Sequence, residues 1–229
     1  TPPMKSRLRF PHGFVLLAVV AVQAAPVARW DFNEEDTSRA VAVGGVQRDV
    51  PGPRPPTYPD FERNNTALHL DGAGAHLALA DPGAMSVFDF TNGDAITLEA
   101  WVQVAGAKSG DSPYIIGKGR VGTPGFAANN QNWALRLRVI AGGQLAVNFL
   151  FATPPTPAPA KVDAHWHRWT AKRGFAAGSG WHHIAVTYRF GEPASIRGWL
   201  DGQLVAGDWD MGGPTTAAPV VDDDAIWIG

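Results

Sequence analysis

Gly180-Trp-His-His-Ile-Ala-Val-Thr-Tyr-Arg-Phe-Gly-Glu-Pro-Ala-Ser-Ile-Arg-Gly-Trp-Leu-Asp-Gly202 is the stretch of sequence that decides the fold class. Between Trp181 and Phe190, apolar side chains occupy alternate positions, which is the period of a β-strand with one buried face. The Gly-Glu-Pro at 191–193 ends this strand, and a second alternating run follows. Asp201-Gly202 is a dipeptide typical of two-residue hairpin turns. The stretch therefore predicts two consecutive β-hairpins.

The remaining chain consists of short alternating segments separated by glycine and proline, which number 26 and 19 among 229 residues. Residues 27–32 and the clearly alternating residues 96–104 predict strands, and we expect the latter to be central in its sheet. Residues 68–79 predict a hairpin, and five prolines between 50 and 59 predict an extended surface loop. This pattern favours an all-β fold in which two antiparallel sheets pack face to face as a jelly roll.

Composition excludes some classes of function. The formal net charge is −2 at pH 7, with no excess of lysine and arginine to bind a phosphate backbone, so we expect no nucleic-acid partner. The absence of cysteine excludes disulfide bonds, thiolate metal sites and thiol nucleophiles from these 229 residues.

Residues 1–24 have the composition of a secretory signal peptide with a short upstream extension. Three basic residues precede the apolar segment 14–22, and a small-residue cleavage site ending at Ala24 follows it. The apolar segment is shorter than the ~20 residues of a membrane-spanning helix, so we expect no transmembrane helix in the mature chain. The sequence thus predicts an exported protein, periplasmic, cell-surface or secreted, whose single domain covers residues 25–229.

Four segments of the chain carry a resemblance to a known family. They are Ala67–Gly72, Ala95–Val102, the double hairpin Trp181–Val205 and Ile226–Gly229. In this order they resemble the strands of laminin-G-like domains of the concanavalin A-like lectin/glucanase superfamily. The resemblance implies a concanavalin A-like jelly-roll sandwich. Because the family pattern continues through one more strand with an acidic residue, we expect the last strand to be missing by truncation.

Two further segments, 130–136 and 163–169, resemble the N-terminal region of large exported bacterial proteins. In those proteins such a domain precedes cytochrome-like and uncharacterised domains, so the resemblance implies downstream domains of the same chain as partners.

Many members of the superfamily also hold a structural Ca²⁺ ion between the first strand, a glycine-rich turn and an aspartate of the final strand. Calcium binds carboxylate and carbonyl oxygens. The ligands that the resemblance implies here are the backbone carbonyls of Arg29 and of Gly72 or Gly74. Since the aspartate would follow Gly229, we expect the calcium site to be incomplete in these residues.

Several polar and aromatic side chains are candidates for sugar binding, because strand alternation turns them away from the apolar faces. Aromatic rings stack on the C–H surface of a sugar, while planar polar groups reach its hydroxyls. The candidates, which could converge, are Glu99, Trp101, Arg136, Arg138, Asn148, Arg197 and Trp199. The alternative for each tryptophan is that it packs beneath a loop or between the sheets.

The functional hypotheses follow from these candidates. A glycoside hydrolase needs two carboxylates set across the bond that it breaks, and Glu99 is the only acid on its predicted strand. We therefore predict a protein that is not an enzyme. The first hypothesis is a non-catalytic carbohydrate-binding or adhesion module of a larger exported protein. The alternative is a purely structural domain that packs on downstream domains, and a glycoside hydrolase is the third hypothesis.

Overall fold

A computed structural model describes residues 26–33, 40–119, 131–154 and 165–229. The predicted signal peptide, residues 1–24, lies outside these ranges. Within them, no helix is long and apolar enough to cross a membrane.

The described residues form fourteen strands and two short 3₁₀ turns. The strands are β1 (Val41–Val43), β2 (Gln47–Pro51), β3 (Thr66–His69), β4 (His76–Leu79), β5 (Ala95–Gln103), β6 (Tyr114–Lys118), β7 (Trp133–Val139), β8 (Gln144–Ala152), β9 (Trp166–Ala176), β10 (Trp181–Arg189), β11 (Arg197–Leu200), β12 (Gln203–Val205), β13 (Gly207–Met211) and β14 (Ile226–Ile228).

The strands are arranged in three antiparallel sheets of eight, four and two strands. The large sheet has eight strands in the order β1-β4-β14-β6-β7-β8-β9-β13, and the small sheet has four in the order β12-β11-β10-β5. β2 and β3 form a separate two-stranded sheet. This architecture confirms the predicted all-β sandwich of the concanavalin A-like type.

The double hairpin predicted from residues 180–202 is confirmed. β10 pairs with β11 in a register that sets Ile184 opposite Leu200, and β11 pairs in turn with β12. At the second turn, Asp201 has φ 51° and Gly202 has φ 73°. Positive φ at both central residues is the conformation of a type I′ turn, whose twist matches that of the flanking strands.

The core lies between the eight-stranded and the four-stranded sheets. Alternate residues of each sheet project into it and are almost completely buried. Tyr188, at 2% exposure, packs among the rings of Phe149, Phe151, Phe190 and Trp209. The two-residue period of the sequence therefore marks which face of each strand supplies this core.

Three sequence predictions are wrong in detail. Residues 27–32 form no strand; instead, the Phe32 carbonyl and the Asn33 side chain accept hydrogen bonds from Thr66. Residues 68–79 do not form a hairpin, because β3 pairs with β2 while β4 pairs with β1 and β14. β5 is an edge strand of the described small sheet, not a central one. Alternation reports which face of a strand is buried but not how many neighbours that strand has.

Candidate functional site

An open cavity of about 500 Å³ lies on the outer face of the four-stranded sheet. We call it the Trp101 groove. Its lining residues are Tyr58, Trp101, Ser179, Trp181, His182, His183, Asp201 and Gly202.

Trp101 forms the aromatic floor of the groove. Its neighbour Val102 is buried in the core, so the two-residue period of β5 turns Trp101 outward, where 38% of it is exposed. The register of β5 and β10 places His183 directly opposite Trp101 on this face, with ring centroids 5.4 Å apart. A large aromatic surface is thus held in place by the sheet and remains open to solvent.

The proline-rich loop supplies a wall of the Trp101 groove. Tyr58 and Phe61 each meet the Trp101 ring edge to face, with centroids 5.4 and 5.2 Å away. The Tyr58 hydroxyl donates a hydrogen bond to the backbone carbonyl of Trp181 at 2.9 Å. This bond anchors the loop to β10, and the two rings fix the orientation of the indole.

Two carboxylates border the aromatic floor. Glu99 lies two residues before Trp101 on the same strand face, and its Oε2 is 3.6 Å from His183 Nε2. Asp201 Oδ1 accepts the backbone N–H of His183 at 2.9 Å. The side chains of Glu99 and Asp201 are 68% and 47% exposed. Exposed planar acceptors beside an indole can bond the hydroxyl groups of a ring that stacks on it.

His182 is held by a chain of hydrogen bonds at one end of the groove. Its Nδ1 is 2.8 Å from Asp201 Oδ2, and its Nε2 is 2.8 Å from the Ser179 hydroxyl oxygen. The ring stacks on Phe175 with centroids 4.2 Å apart. The Ser179 hydroxyl also donates to the carbonyl of Ala176 within the same turn. The chain therefore ties two hairpin turns together beside the groove.

Arg197 and Trp199 lie on the same outer face as Trp101. Trp199 is opposite Ala185, which is itself opposite Glu99, so these three residues form one row across β11, β10 and β5. Two strand spacings of about 4.8 Å and one two-residue step of about 6.6 Å place the Trp199 backbone about 12 Å from that of Trp101. The small sheet thus presents two tryptophans on one face.

Arg136, Arg138 and Asn148 lie on the other sheet, on the face turned away from the core. The structure therefore divides the seven sugar-binding candidates between two surfaces and does not bring them all together. Asn148 is completely buried, and Arg136 is 5% exposed.

These three residues belong to a row of polar side chains that crosses four strands. Arg136 Nε donates to Asn148 Oδ1 at 2.8 Å, and Asn148 Nδ2 donates to Thr170 Oγ1 at 2.8 Å. The Thr170 hydroxyl donates to Asp210 at 3.1 Å, and Asp210 also pairs with Arg168 and, at 3.8 Å, with Arg138. The row satisfies its members mutually, which is typical of a buried network that stabilises a sheet.

The predicted calcium ligands occupy a turn whose oxygen atoms are partly engaged. Gly72 and Gly74 both have positive φ, and the Gly74 carbonyl accepts a hydrogen bond from His76 Nδ1 at 2.7 Å. Amide hydrogen bonds from Ala73 and Ala75 lower the pKa of Asp71 below its ordinary value. Within the described ranges, no three His, Cys, Asp or Glu side chains gather as a metal site would require. The structural calcium ion, with Arg29 as a further ligand, stays a prediction.

Sequence reasoning identified Trp101 and Glu99 but missed Tyr58, Phe61, His183 and Asp201. The signal for the loop residues was the presence of two aromatic side chains beside Pro59 in Tyr58-Pro59-Asp60-Phe61, since aromatic residues in a surface loop need an apolar partner. Nothing in the sequence shows that this partner is Trp101.

Two comparisons with known proteins found matches. A family model described as the concanavalin A-like lectin/glucanases superfamily matches residues 71–229. Among solved structures, one similar chain is the crystal structure of the Emp47p carbohydrate recognition domain in monoclinic crystal form 1. It has 14% sequence identity and a TM-score of 0.35, and the match covers 67% of this chain and 74% of that chain. No curated protein matches the chain.

Proposed function

Since the chain belongs to the concanavalin A-like lectin/glucanases superfamily, we propose that it is a non-catalytic carbohydrate-binding module and that the Trp101 groove is its sugar site. The observation that carries this proposal is the exposed indole of Trp101, walled by two further aromatic rings and bordered by two exposed carboxylates. Aromatic floors with a few convergent polar groups are the usual construction of small-ligand sites.

The groove favours a neutral sugar ring that lies flat on the indole. Its C–H surface covers Trp101, and its hydroxyl groups reach Glu99, Asp201 and His183 at the border. Two carboxylates near the floor repel a uronic or sulfated sugar at close range, because such a sugar carries the same negative charge. Trp199, about 12 Å away by strand spacing, offers a second aromatic ring on which another sugar residue of the same oligosaccharide can stack. The ligand class that fits is therefore a neutral oligosaccharide.

Two observations favour binding over catalysis. Both oxygens of Asp201 bond His182 and His183, which fixes this carboxylate in place as an acceptor for a sugar hydroxyl instead of leaving it free to attack a glycosidic bond. Ser179, His182 and Asp201 form a chain in the order of a hydrolase triad, but the Ser179 hydroxyl donates to the Ala176 carbonyl. Ester or glycoside hydrolysis that is lost in Ser179→Ala or Glu99→Gln would contradict a purely binding role.

The sequence of residues 1–24 and the resemblance to large exported proteins support a location outside the cytoplasm. We therefore place the module in an adhesion role, in which it tethers downstream domains of the same chain to a polysaccharide.

A second candidate is a structural domain that packs on those downstream domains. It is supported by β1, which is an edge strand of the described eight-stranded sheet. Val41 and Val43 on that strand are 63% and 41% exposed. An edge strand with exposed apolar side chains can pair with a strand of another domain.

Affinity electrophoresis distinguishes these two functions. The chain is run through gels that contain neutral plant, fungal or bacterial polysaccharides, beside the variants Trp101→Ala and Leu204→Ala. Leu204 is 61% exposed on the same sheet but outside the groove, so it is a matched control. We expect retardation of the wild type and of Leu204→Ala in at least one gel and its loss in Trp101→Ala. If no gel retards any of the three proteins, the result would favour the structural function. Equal retardation of all three proteins would contradict the Trp101 groove as the sugar site.

A further inference from the structure

Lys118 is a completely buried lysine at the end of β6. Its side chain is 0% exposed, and its Nζ lies 2.9 Å from Asp81 Oδ2 and in direct contact with Asp89 Oδ1. The side chain of Asp81 is also 0% exposed, and that of Asp89 is 15% exposed. Lysine and aspartate are rarely buried to this extent. Removing one amine and two carboxylates from water is costly, so this arrangement is unusual for a buried position.

The surroundings of the Lys118 amine are apolar. In the large sheet, Lys118 is opposite Ile226 on one side and Trp133 on the other, and both are buried. Cross-strand neighbours of this kind have Cβ atoms about 5 Å apart. Transfer of a proton from the ammonium group to one of the two contacting carboxylates would yield a neutral amine, which is a nucleophile, beside a carboxylic acid.

The two carboxylates are held in place by different contacts. Asp81 Oδ1 accepts the Gly83 N–H at 2.8 Å, and Asp81 Oδ2 accepts the Ser86 hydroxyl at 2.6 Å. The segment around Asp89 is anchored by the Trp133 indole N–H, which donates to the Phe88 carbonyl at 2.9 Å. The amine therefore meets both acids in a fixed geometry before any reaction occurs.

We propose that Lys118 and Asp89 condense to an intramolecular isopeptide bond, with Asp81 as the acid–base group. Asp81 accepts a proton from the Lys118 ammonium group, and the amine nitrogen attacks Asp89 Cγ. A C–N bond forms as a C–O bond breaks. The nitrogen loses two protons in all, and Asp81 carries both of them, one before and one after the attack. Both protons join the departing carboxylate oxygen, which leaves as water. The reaction needs no oxidant and no other reactant.

Asp89, not Asp81, is the acid that is consumed. Both oxygens of Asp81 accept hydrogen bonds from its own loop, which keeps its carboxylate in position as a proton carrier. Asp89 is the one of the two whose side chain reaches the surface, and this exposure gives the released water an exit. The product is a neutral amide in place of a buried ion pair. It links the loop of Asp89 to β6 in a chain without cysteine.

Peptide mass spectrometry of the full chain tests the proposal. Trypsin cuts after Arg63, Lys108 and Arg120 but cannot cut after a Lys118 whose amine is part of an amide. We expect residues 64–108 joined to residues 109–120, at a mass lower by about 18 Da than the sum of the two peptides. Free peptides 64–108 and 109–118 in full yield, with no joined species, would overturn the proposal.

An exposed pair within the same chain serves as the matched control. Lys172 Nζ lies 2.9 Å from Asp208 Oδ2, a distance equal to that between Lys118 and Asp81, but both side chains are more than half exposed. We expect no peptide joined through Lys172 in the same digest, whether cleavage occurs after Lys172 or after Arg173. A joined peptide at Lys172 would show that proximity alone causes the linkage and would overturn the assigned role of burial.

Two variants test the roles of the acids. Asp89→Asn should still form the amide but release ammonia, so its joined peptide differs from the sum by about 17 Da, not 18. Asp81→Asn should leave Lys118 free and cleavable while the far-UV circular dichroism stays that of the wild type. If Asp81→Asn is joined to the same extent as the wild type, Asp81 is not the acid–base group. Should either variant fail to fold, the wild-type digest still decides whether the bond exists.

Discussion

Trp101 of β5 and Tyr58 of the proline-rich loop meet edge to face, with ring centroids 5.4 Å apart. The contact joins a loop and a sheet face that the sequence presents as unrelated. Tyr58 and Phe61 both pack edge to face on this indole, which lies on the outer face of β5. The aromatic wall of the Trp101 groove therefore depends on contacts between segments that are distant in sequence.

The wall of the groove predicts the effect of Phe61. Replacement of Phe61 by Ala removes one of the two rings that orient Trp101, so the indole gains rotational freedom that ligand binding must then remove. We expect Phe61→Ala to weaken sugar binding several-fold and to leave the fold intact, measured by affinity electrophoresis and near-UV circular dichroism. Undiminished retardation in the gel would show that the loop does not orient the indole.

The buried hydroxyl of Tyr188 predicts a stabilising substitution. This oxygen has no hydrogen-bond partner among the described residues, and burial raises the pKa of Tyr188 to about 12. Tyr188→Phe removes the cost of desolvating the hydroxyl and should raise the free energy of unfolding by about 1 kcal/mol in urea denaturation. Tyr58→Phe is the control, because it removes a hydrogen bond that is made and should lower stability. A loss of stability in Tyr188→Phe would contradict this account.

The same pKa shift gives a dependence on alkaline pH. Between pH 10 and the folded pKa of about 12, the unfolded chain releases the Tyr188 proton while the folded protein keeps it. The free energy of unfolding should therefore fall as the pH rises through this window. In Tyr188→Phe this part of the decline should be absent, and an unchanged decline would assign it to other groups.

His167 predicts a dependence on acidic pH. Burial lowers the pKa of His167, although its hydrogen bond to the Gly213 carbonyl opposes this shift. Below an unfolded pKa of about 6.5 the unfolded chain binds a proton that the folded protein resists, so stability should fall as the pH falls through that value. Urea denaturation at pH 8 and pH 5 should show a smaller difference for His167→Gln than for the wild type. An equal difference would rule out His167 as the cause.

The polar row on the large sheet predicts unequal effects of its members. Asn148 makes three hydrogen bonds in a completely buried position, so Asn148→Ala should destabilise the protein by about 3 kcal/mol. Arg138 pairs with Asp210 at 3.8 Å with 30% of its side chain exposed, so Arg138→Ala should cost about 0.5 kcal/mol or less. Equal losses in chemical denaturation would contradict the assignment of this row to stability.

Much of the fold could be predicted from the sequence, because strands such as β5 show their buried face by alternation. In β8, residues 145–152 are buried on both faces, so alternation does not identify the core face there. Glycine also marks the turns of the hairpins at β7–β8 and β10–β12. Gly142 and Gly202 lie in these turns, and both have positive φ. The order of the strands could not be predicted. β14 lies between β4 and β6, far from its neighbours in sequence, and only packing of the complete sheet sets that position.

The candidate site was only partly predictable for the same reason. Trp101 and Glu99 are recognisable because one strand turns both outward. Arg136 and Asn148 share that outward pattern, yet they lie on the other sheet, since alternation is defined within a strand and carries no information about which strands share a surface. His183 joins the site because β10 pairs with β5, a pairing that the sequence does not identify. Asp201 lies in the predicted hairpin turn, but its contact with the His183 N–H could not be predicted.

The central claim is that the outer face of the small sheet binds a neutral glycan through Trp101, and a glycan array tests it most directly. The wild-type chain, Trp101→Ala and Leu204→Ala are applied to neutral and acidic glycans at equal concentration. We expect signals on neutral oligosaccharides for the wild type and Leu204→Ala, and a loss of affinity of at least about tenfold, or 1.4 kcal/mol, for Trp101→Ala. Binding that Trp101→Ala retains in full, or no binding by the wild type to any glycan, would contradict it.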